Sequence, residues 1–169
     1  MPHEQTLLLA SVLSGDSPDV LRLVKLSIDN PHQLLMEVGK DYDFWDSGFD
    51  VDPLLVAQYT LIDHDFVGVI DWRSEPNELP GAAEPLLQRH GIADFDWSFI
   101  DELEESEDVE MGKSENFLNL AAEKVAERDL IMIHLSTGSD TYFFAIVTPE
   151  DFEKIAGIKG KEFRILDRF

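Results

Sequence analysis

The chain has 169 residues, 44% apolar and 28% charged, which is ordinary for a folded protein and argues against wholesale disorder. Its charge is not ordinary, because 35 Asp and Glu against 13 Lys and Arg leave a net −22, a balance that disfavours direct binding to nucleic acid or to an anionic membrane surface. Cysteine is absent, which excludes disulfides, thiolate metal sites and Cys nucleophiles and makes a reducing cytoplasm the simplest expected location.

The chain opens Met-Pro-His-Glu-Gln, with Glu4 where a secretory signal would carry basic residues, so no signal peptide is expected. No apolar run approaches the roughly 18 residues of a membrane span. Leu7, Leu8, Ala10, Val12 and Leu13 read as a first helix stopping at Ser14-Gly15. Ser17-Pro18 places a capping residue before a proline at the first helical position, and Val20, Leu21, Leu23, Val24 and Ile28 follow at helical spacing. Asn30-Pro31 repeats the signal for a short helix through Leu34, Leu35 and Val38, stopping at Gly39.

Residues 41–52 form an acidic, aromatic loop, and Asp52-Pro53 opens a helix through Leu61. Phe66 to Trp72 is the first expected strand, being short, β-branched and aromatic. A connection from Ser74 to Gly81 leads to a helix from Ala82 to His90. A short helix is expected near 97–105, then a solvated loop, then a helix capped by Ser114. Leu130–Leu135 and Thr141–Val147 are two strands joined by the turn residues 136–140, the clearest hairpin in the chain. Thr148-Pro149 starts a helix ended by Gly157 and Gly160, and Phe163–Leu166 is a last strand. The expected fold class is α+β: N-terminal helices, then a sheet of about four strands around a central hairpin (130–147), with helices packed on it. The expected organisation is a single domain over 1–169, with a helical segment at 1–40 and an α+β core at 53–169.

The acidity is concentrated. Residues 41–72 hold eight acids and residues 90–112 hold nine, and neither window contains Lys or Arg. The last sixteen residues lean the other way, with Lys154, Lys159, Lys161, Arg164 and Arg168 against Glu162 and Asp167. A charge run is most often a solvated face. Here aromatics interleave with the acids, a combination suited to a docking surface for a basic protein, with aromatics as anchors and charge at the rim. The residues proposed to carry such binding are Asp41, Tyr42, Asp43, Phe44, Trp45 and Asp46 in the first window, and Asp101, Glu102, Glu104, Glu105, Glu107 and Asp108 in the second. Phe95, Trp97 and Phe99 fit core packing better than docking. The charge polarity also suits docking of one copy on another.

Chemical motifs give less. Counted as a calcium loop from Asp41, the sequence has Trp45 at a ligand position and Asp46 where glycine is required. Asp63, His64, Asp65 and Asp71, with His134, could supply metal ligands if the strands carrying Asp71 and His134 were neighbours. A surface histidine among acids is the simpler reading. Ser136–Asp140 joins two strands and is not a nucleophile elbow. No glycine-rich phosphate loop or cofactor signature is present, so no cofactor and no catalytic residue is assigned.

Asp71-Trp72-Arg73-Ser74-Glu75-Pro76-Asn77-Glu78 resembles a stretch in a family of small acidic bacterial domains of unknown function. Ser139-Asp140-Thr141-Tyr142 and the helix start at Glu150-Asp151 are similar to theirs as well. The resemblance covers residues 53–155 and implies a bacterial, cytoplasmic α+β protein; it brings no active site with it. The functional expectation is a non-catalytic interaction domain for a positively charged protein, of inhibitor, immunity or DNA-mimic type. The alternative is a cation-binding domain or metal-dependent enzyme using the carboxylates around His64.

Overall fold

The computed structural model describes residues 1–38, 51–104 and 113–169, which fall into two compact units, Met1–His64 and Asp65–Phe169. The expected stop at Gly39, residues 41–50 of the expected acidic loop and residues 105–112, expected as a solvated loop, lie outside the described residues.

The first unit is helical: α1 (His3–Ser14), α2 (Pro18–Asp29), α3 (Pro31–Val38) and α4 (Pro53–Asp63). Its starts are written in the sequence, since α2, α3 and α4 each begin on a proline, whose missing N–H is no loss in a first turn. Asp52 caps α4 by accepting from Leu54 N at 2.9 Å, and Asn30 Oδ1 accepts from Gln33 N at 3.2 Å. Ser17 departs from the expectation: it precedes Pro18, but its side chain makes no capping bond, and its own N–H donates to Ser14 Oγ at 3.1 Å. α1 ends at Gly15 in the left-handed region (φ 58°), where its N–H reaches back to the carbonyls of Ser11 and Val12. α2 packs on α1, α3 and α4, and α4 packs on α1, so α4 belongs with the N-terminal helices. Leu23, Leu34, Leu35, Val51 and Val56 form one buried cluster.

The second unit is α+β. Four antiparallel strands, β1 (Gly68–Asp71), β2 (Ile131–Ser136), β3 (Thr141–Val147) and β4 (Arg164–Leu166), pair in the order β1-β3-β2-β4. The β2–β3 hairpin is central as expected, with Gly138 in its turn at φ 74°. The helices are α5 (Leu79–Arg89), α6 (Ser98–Glu104), α7 (Ser114–Ala126) and α8 (Pro149–Ile155), and a 3₁₀ turn at Pro76–Glu78 runs into α5. The connection expected over Ser74–Gly81 is therefore structured, and α5 starts earlier than its apolar pattern suggests.

Strand alternation puts Ile70, Met132, Phe144 and Ile146 on one face, where they bury together with Leu79, Leu86 and Leu87 of α5, Phe99 and Ile100 of α6, and Phe117 and Leu118 of α7. Gly68 pairs with Phe144 in register, and a Cβ at Gly68 would lie 2.3 Å from Phe144 Cζ. Only glycine leaves room for the aromatic ring to cross the strand there.

α7 also corrects an expectation. Ser114 is its first helical residue rather than its cap, which is Lys113, and Ser114 is buried. Its hydroxyl donates to the Asp71 carbonyl at 3.0 Å and lies 3.5 Å from the Ser74 carbonyl, tying α7 to the end of β1. Thr148 caps α8 as expected, accepting from Asp151 N at 3.1 Å.

Candidate functional site

The second unit assembles a charged and aromatic surface around the turn that follows β1. Asp71 shapes that turn: its carboxylate accepts from Arg73 N at 2.9 Å and its carbonyl accepts from Ser74 N at 3.0 Å. Glu75 and Glu78 then cap the 3₁₀ turn reciprocally, with Glu75 N donating to Glu78 Oε1 at 3.0 Å, and Ser74 Oγ donates to the same carboxylate. The Asp-Trp-Arg-Ser-Glu-Pro-Asn-Glu cluster is thus first a structural device, a self-capped turn between strand and helix. What it leaves over is Trp72, half exposed (50%), with the Arg73 guanidinium 4.4 Å over its ring.

The 3₁₀ turn packs on α6, which carries Asp101 and Glu102. Glu78 of the turn and Asp101 and Glu102 of α6 are therefore on packed elements, and Asp71, Glu75, Glu78, Asp101 and Glu102 are all exposed. Before α6, Phe95 and Trp97 are half-buried against the core and Phe99 is buried within it, as core packing requires. Their rings step along the segment at 4.6 and 5.7 Å. The Trp97 indole nitrogen is buried without a hydrogen-bond partner.

Folding also moves bases toward the second window. A cleft of about 160 Å³ between α6 and α7 is lined by Asp96, Glu102, Lys124, Glu127 and Arg128 among others. Asp96 is held below the ordinary carboxylate value, chiefly by the Ser98 backbone N–H at 2.9 Å and also by Lys124 and Arg128. The cleft is well below the roughly 300 Å³ at which ligand pockets begin. Ion pairs join Arg22 to Glu37, Lys124 to Glu127, and Lys154 to Glu150 and Asp151.

Of the residues proposed from sequence, Asp101 and Glu102 are exposed on α6, and Glu104 ends that helix. Asp41, Tyr42, Asp43, Phe44, Trp45, Asp46, Glu105, Glu107 and Asp108 lie outside the described residues. Among the metal candidates, Asp63 ends α4, His64 follows it, Asp65 has φ 55° and Asp71 ends β1. Asp71 and His134 are on strands separated by β3. Among the described residues no three of His, Asp and Glu converge as a metal site.

His134 instead belongs to an aromatic shelf. Phe169 stacks on it at 5.0 Å and Tyr142 approaches at 5.5 Å, while Asn119 of α7 clamps the Phe169 backbone through bonds of 2.9 and 3.1 Å. Burial holds the His134 imidazole below its usual value, and its Nδ1 is buried without a partner. Burial, then Glu115 and Asp140, push the Tyr142 phenol up. The β2–β3 alternation could have placed His134 and Tyr142 on one face; nothing local in the sequence announces the clamp by Asn119.

No helix among the described residues is long and apolar enough to cross a membrane. No curated protein and no solved structure matches the chain at a significant level. A family model described as a domain of unknown function (DUF6630) matches residues 5–165. The match extends the resemblance drawn from residues 53–155 through the N-terminal helices and across both compact units. With nearly its whole length matched, the chain belongs to the DUF6630 family.

Proposed function

We propose that this protein is a non-catalytic interaction domain that binds a positively charged protein partner, in an inhibitor, immunity or DNA-mimic role. The observation that carries the reading is the packing of the 3₁₀ turn on α6, which sets the exposed Glu78 on an element packed against the one that bears the exposed Asp101 and Glu102, with the half-exposed Trp72 a few residues before that turn. Clustered like charge costs folding stability through self-repulsion, and its return is fast, oriented encounter with a basic surface. Trp72 supplies the kind of amphipathic anchor that interface centres favour. A cytoplasmic location agrees with the absence of cysteine.

The test is retention of basic proteins on the immobilised full chain at low salt, compared with an Asp101→Asn, Glu102→Gln variant. A specific basic partner should be held at low ionic strength, released as the Debye length shrinks from about 10 Å at 0.1 M to about 3 Å at 1 M, and held less well by the variant. Retention that survives high salt unchanged, or that ignores the variant, removes the electrostatic basis of the reading.

A further inference from the structure

We infer that the outer edge of β2, over Ile131–Ile133, is a docking site for an extended segment of a partner protein bearing a Lys or Arg side chain. The shortness of the β2–β4 pairing leaves this stretch of the edge without a strand partner among the described residues. β3 pairs with β2 from Ile131 to His134, whereas β4 on the other side pairs only with His134, Leu135 and Ser136. Over Ile131–Ile133, β2 thus has a strand partner on one side only among the described residues. In an antiparallel strand alternate residues turn their N–H and C=O outward, so this stretch presents main-chain groups to whatever lies alongside.

The reason β4 does not continue is visible. Past Leu166 the chain leaves the sheet and Phe169 is captured by Asn119 of α7: Phe169 N donates to Asn119 Oδ1 at 2.9 Å, and Asn119 Nδ2 donates to the Phe169 carbonyl at 3.1 Å. The Phe169 ring then stacks on His134, and Phe169 is among the residues that line a groove between α7 and β2. That groove holds about 500 Å³, inside the roughly 300–1,000 Å³ range of binding sites and about three times the cleft beside α6. Its walls include Ala122 and Ala126 of α7 and Ile131 and Met132 of β2, which are apolar and short on the helix side.

An unpaired strand edge beside an apolar groove calls for an extended backbone, which adds main-chain bonds along the edge and places alternate side chains in the groove. The lining chooses the side chain. Glu123 and Asp167 contribute two carboxylates against the single cation Arg168. A Lys or Arg would lay its aliphatic stem along Ala122, Ala126 and Met132 and bring its charge to those carboxylates. A second copy of this chain is opposed by the −22 that each would carry. The groove shares no residue with the acidic surface proposed above, so the two readings fail separately.

The experiment uses isotopically labelled full-length chain. Amide exchange is measured first, and a capped hexapeptide of alternating valine and lysine is then titrated while amide shifts are followed. Two control peptides are N-methylated on alternate nitrogens or carry glutamate in place of lysine. At least one outward amide of Ile131–Ile133 should exchange as an unprotected group in the free chain. The lysine peptide should shift and protect it together with residues 122–126. N-methylation should weaken binding by about tenfold or more, the effect of losing two main-chain hydrogen bonds. Glutamate should weaken it as well, and Ala126→Arg, at an exposed position, should abolish it by filling the groove. The inference is overturned if all three amides are already protected, if no shift appears at millimolar peptide, if N-methylation makes no difference, or if the shifts map to the acidic surface. Concentration-dependent self-association that Ala126→Arg removes would likewise overturn it, by assigning the edge to a second copy.

Discussion

Gly68→Ala is the sharpest test of how the sheet is packed. A Cβ at this position would stand 2.3 Å from Phe144 Cζ and 2.7 Å from both Cε atoms, closer than real Cβ contacts come. The ring cannot simply swing aside, because Phe144 is fully buried among Ile70, Leu79, Phe117 and Met132. Overpacking of this kind costs about 1–3 kcal/mol. Replacing glycine also stiffens the unfolded chain, which returns about 0.4–1 kcal/mol. The net expectation is a loss of about 1–2 kcal/mol, read by urea unfolding through the methyl signals of Ile70 and Met132. The decisive comparison is Phe144→Leu, which removes the three atoms that collide. In that background Gly68→Ala should cost nothing or stabilise by up to about 1 kcal/mol, so the two substitutions should couple by more than about 1 kcal/mol. Additive effects, or a single-variant loss below about 0.5 kcal/mol, would refute the reasoning.

Ser114→Ala should cost about 0.5–1.5 kcal/mol, because it removes the buried hydroxyl that ties α7 to the Asp71 carbonyl; urea unfolding checks this, and a neutral result would mean the bond carries no net weight. Thr148→Ala should cost about 1 kcal/mol through loss of the cap on α8, whereas Thr148→Ser should nearly restore stability. His134 predicts a pH dependence. Burial lowers its folded-state value below the usual 6.5, so as pH falls the unfolded chain takes up the proton first. Stability is unaffected by this group above about pH 6.5 and declines below it, down to the folded-state value. The difference in unfolding free energy between wild type and His134→Phe should be flat above that pH and should move in favour of the variant below it; a pH-independent difference would contradict the assignment.

The local determinants were legible in the chain. Proline after Asn30, Asp52 and Thr148 marked helix starts because a first turn needs no N–H at that position and the preceding side chain can cap it. The β2–β3 hairpin was legible because its strands are apolar and β-branched and its connection is built of turn residues. Phe95, Trp97 and Phe99 read as core for the same reason, an apolar demand that local sequence states directly. Other features depended on partners distant in the chain. Ser114 looked like a cap, yet it binds the carbonyl of a residue 43 positions earlier. The second acidic window contains no Lys or Arg in sequence, yet folding brings Lys124 of α7 and Arg128, just past its end, to Asp96.

The sequence by itself determined the α+β class, the capped helix starts, the hairpin and the concentration of charge, because each follows from near-neighbour chemistry and composition. Only the tertiary structure decided the strand order, which separates Asp71 from His134, and the short β2–β4 register, which among the described residues gives β2 a strand partner on one side only over Ile131–Ile133. Only it showed that Gly68 is glycine to make room for Phe144. These are contacts between residues far apart in sequence, and their geometry is set by how sheet and helices pack, which no local pattern encodes.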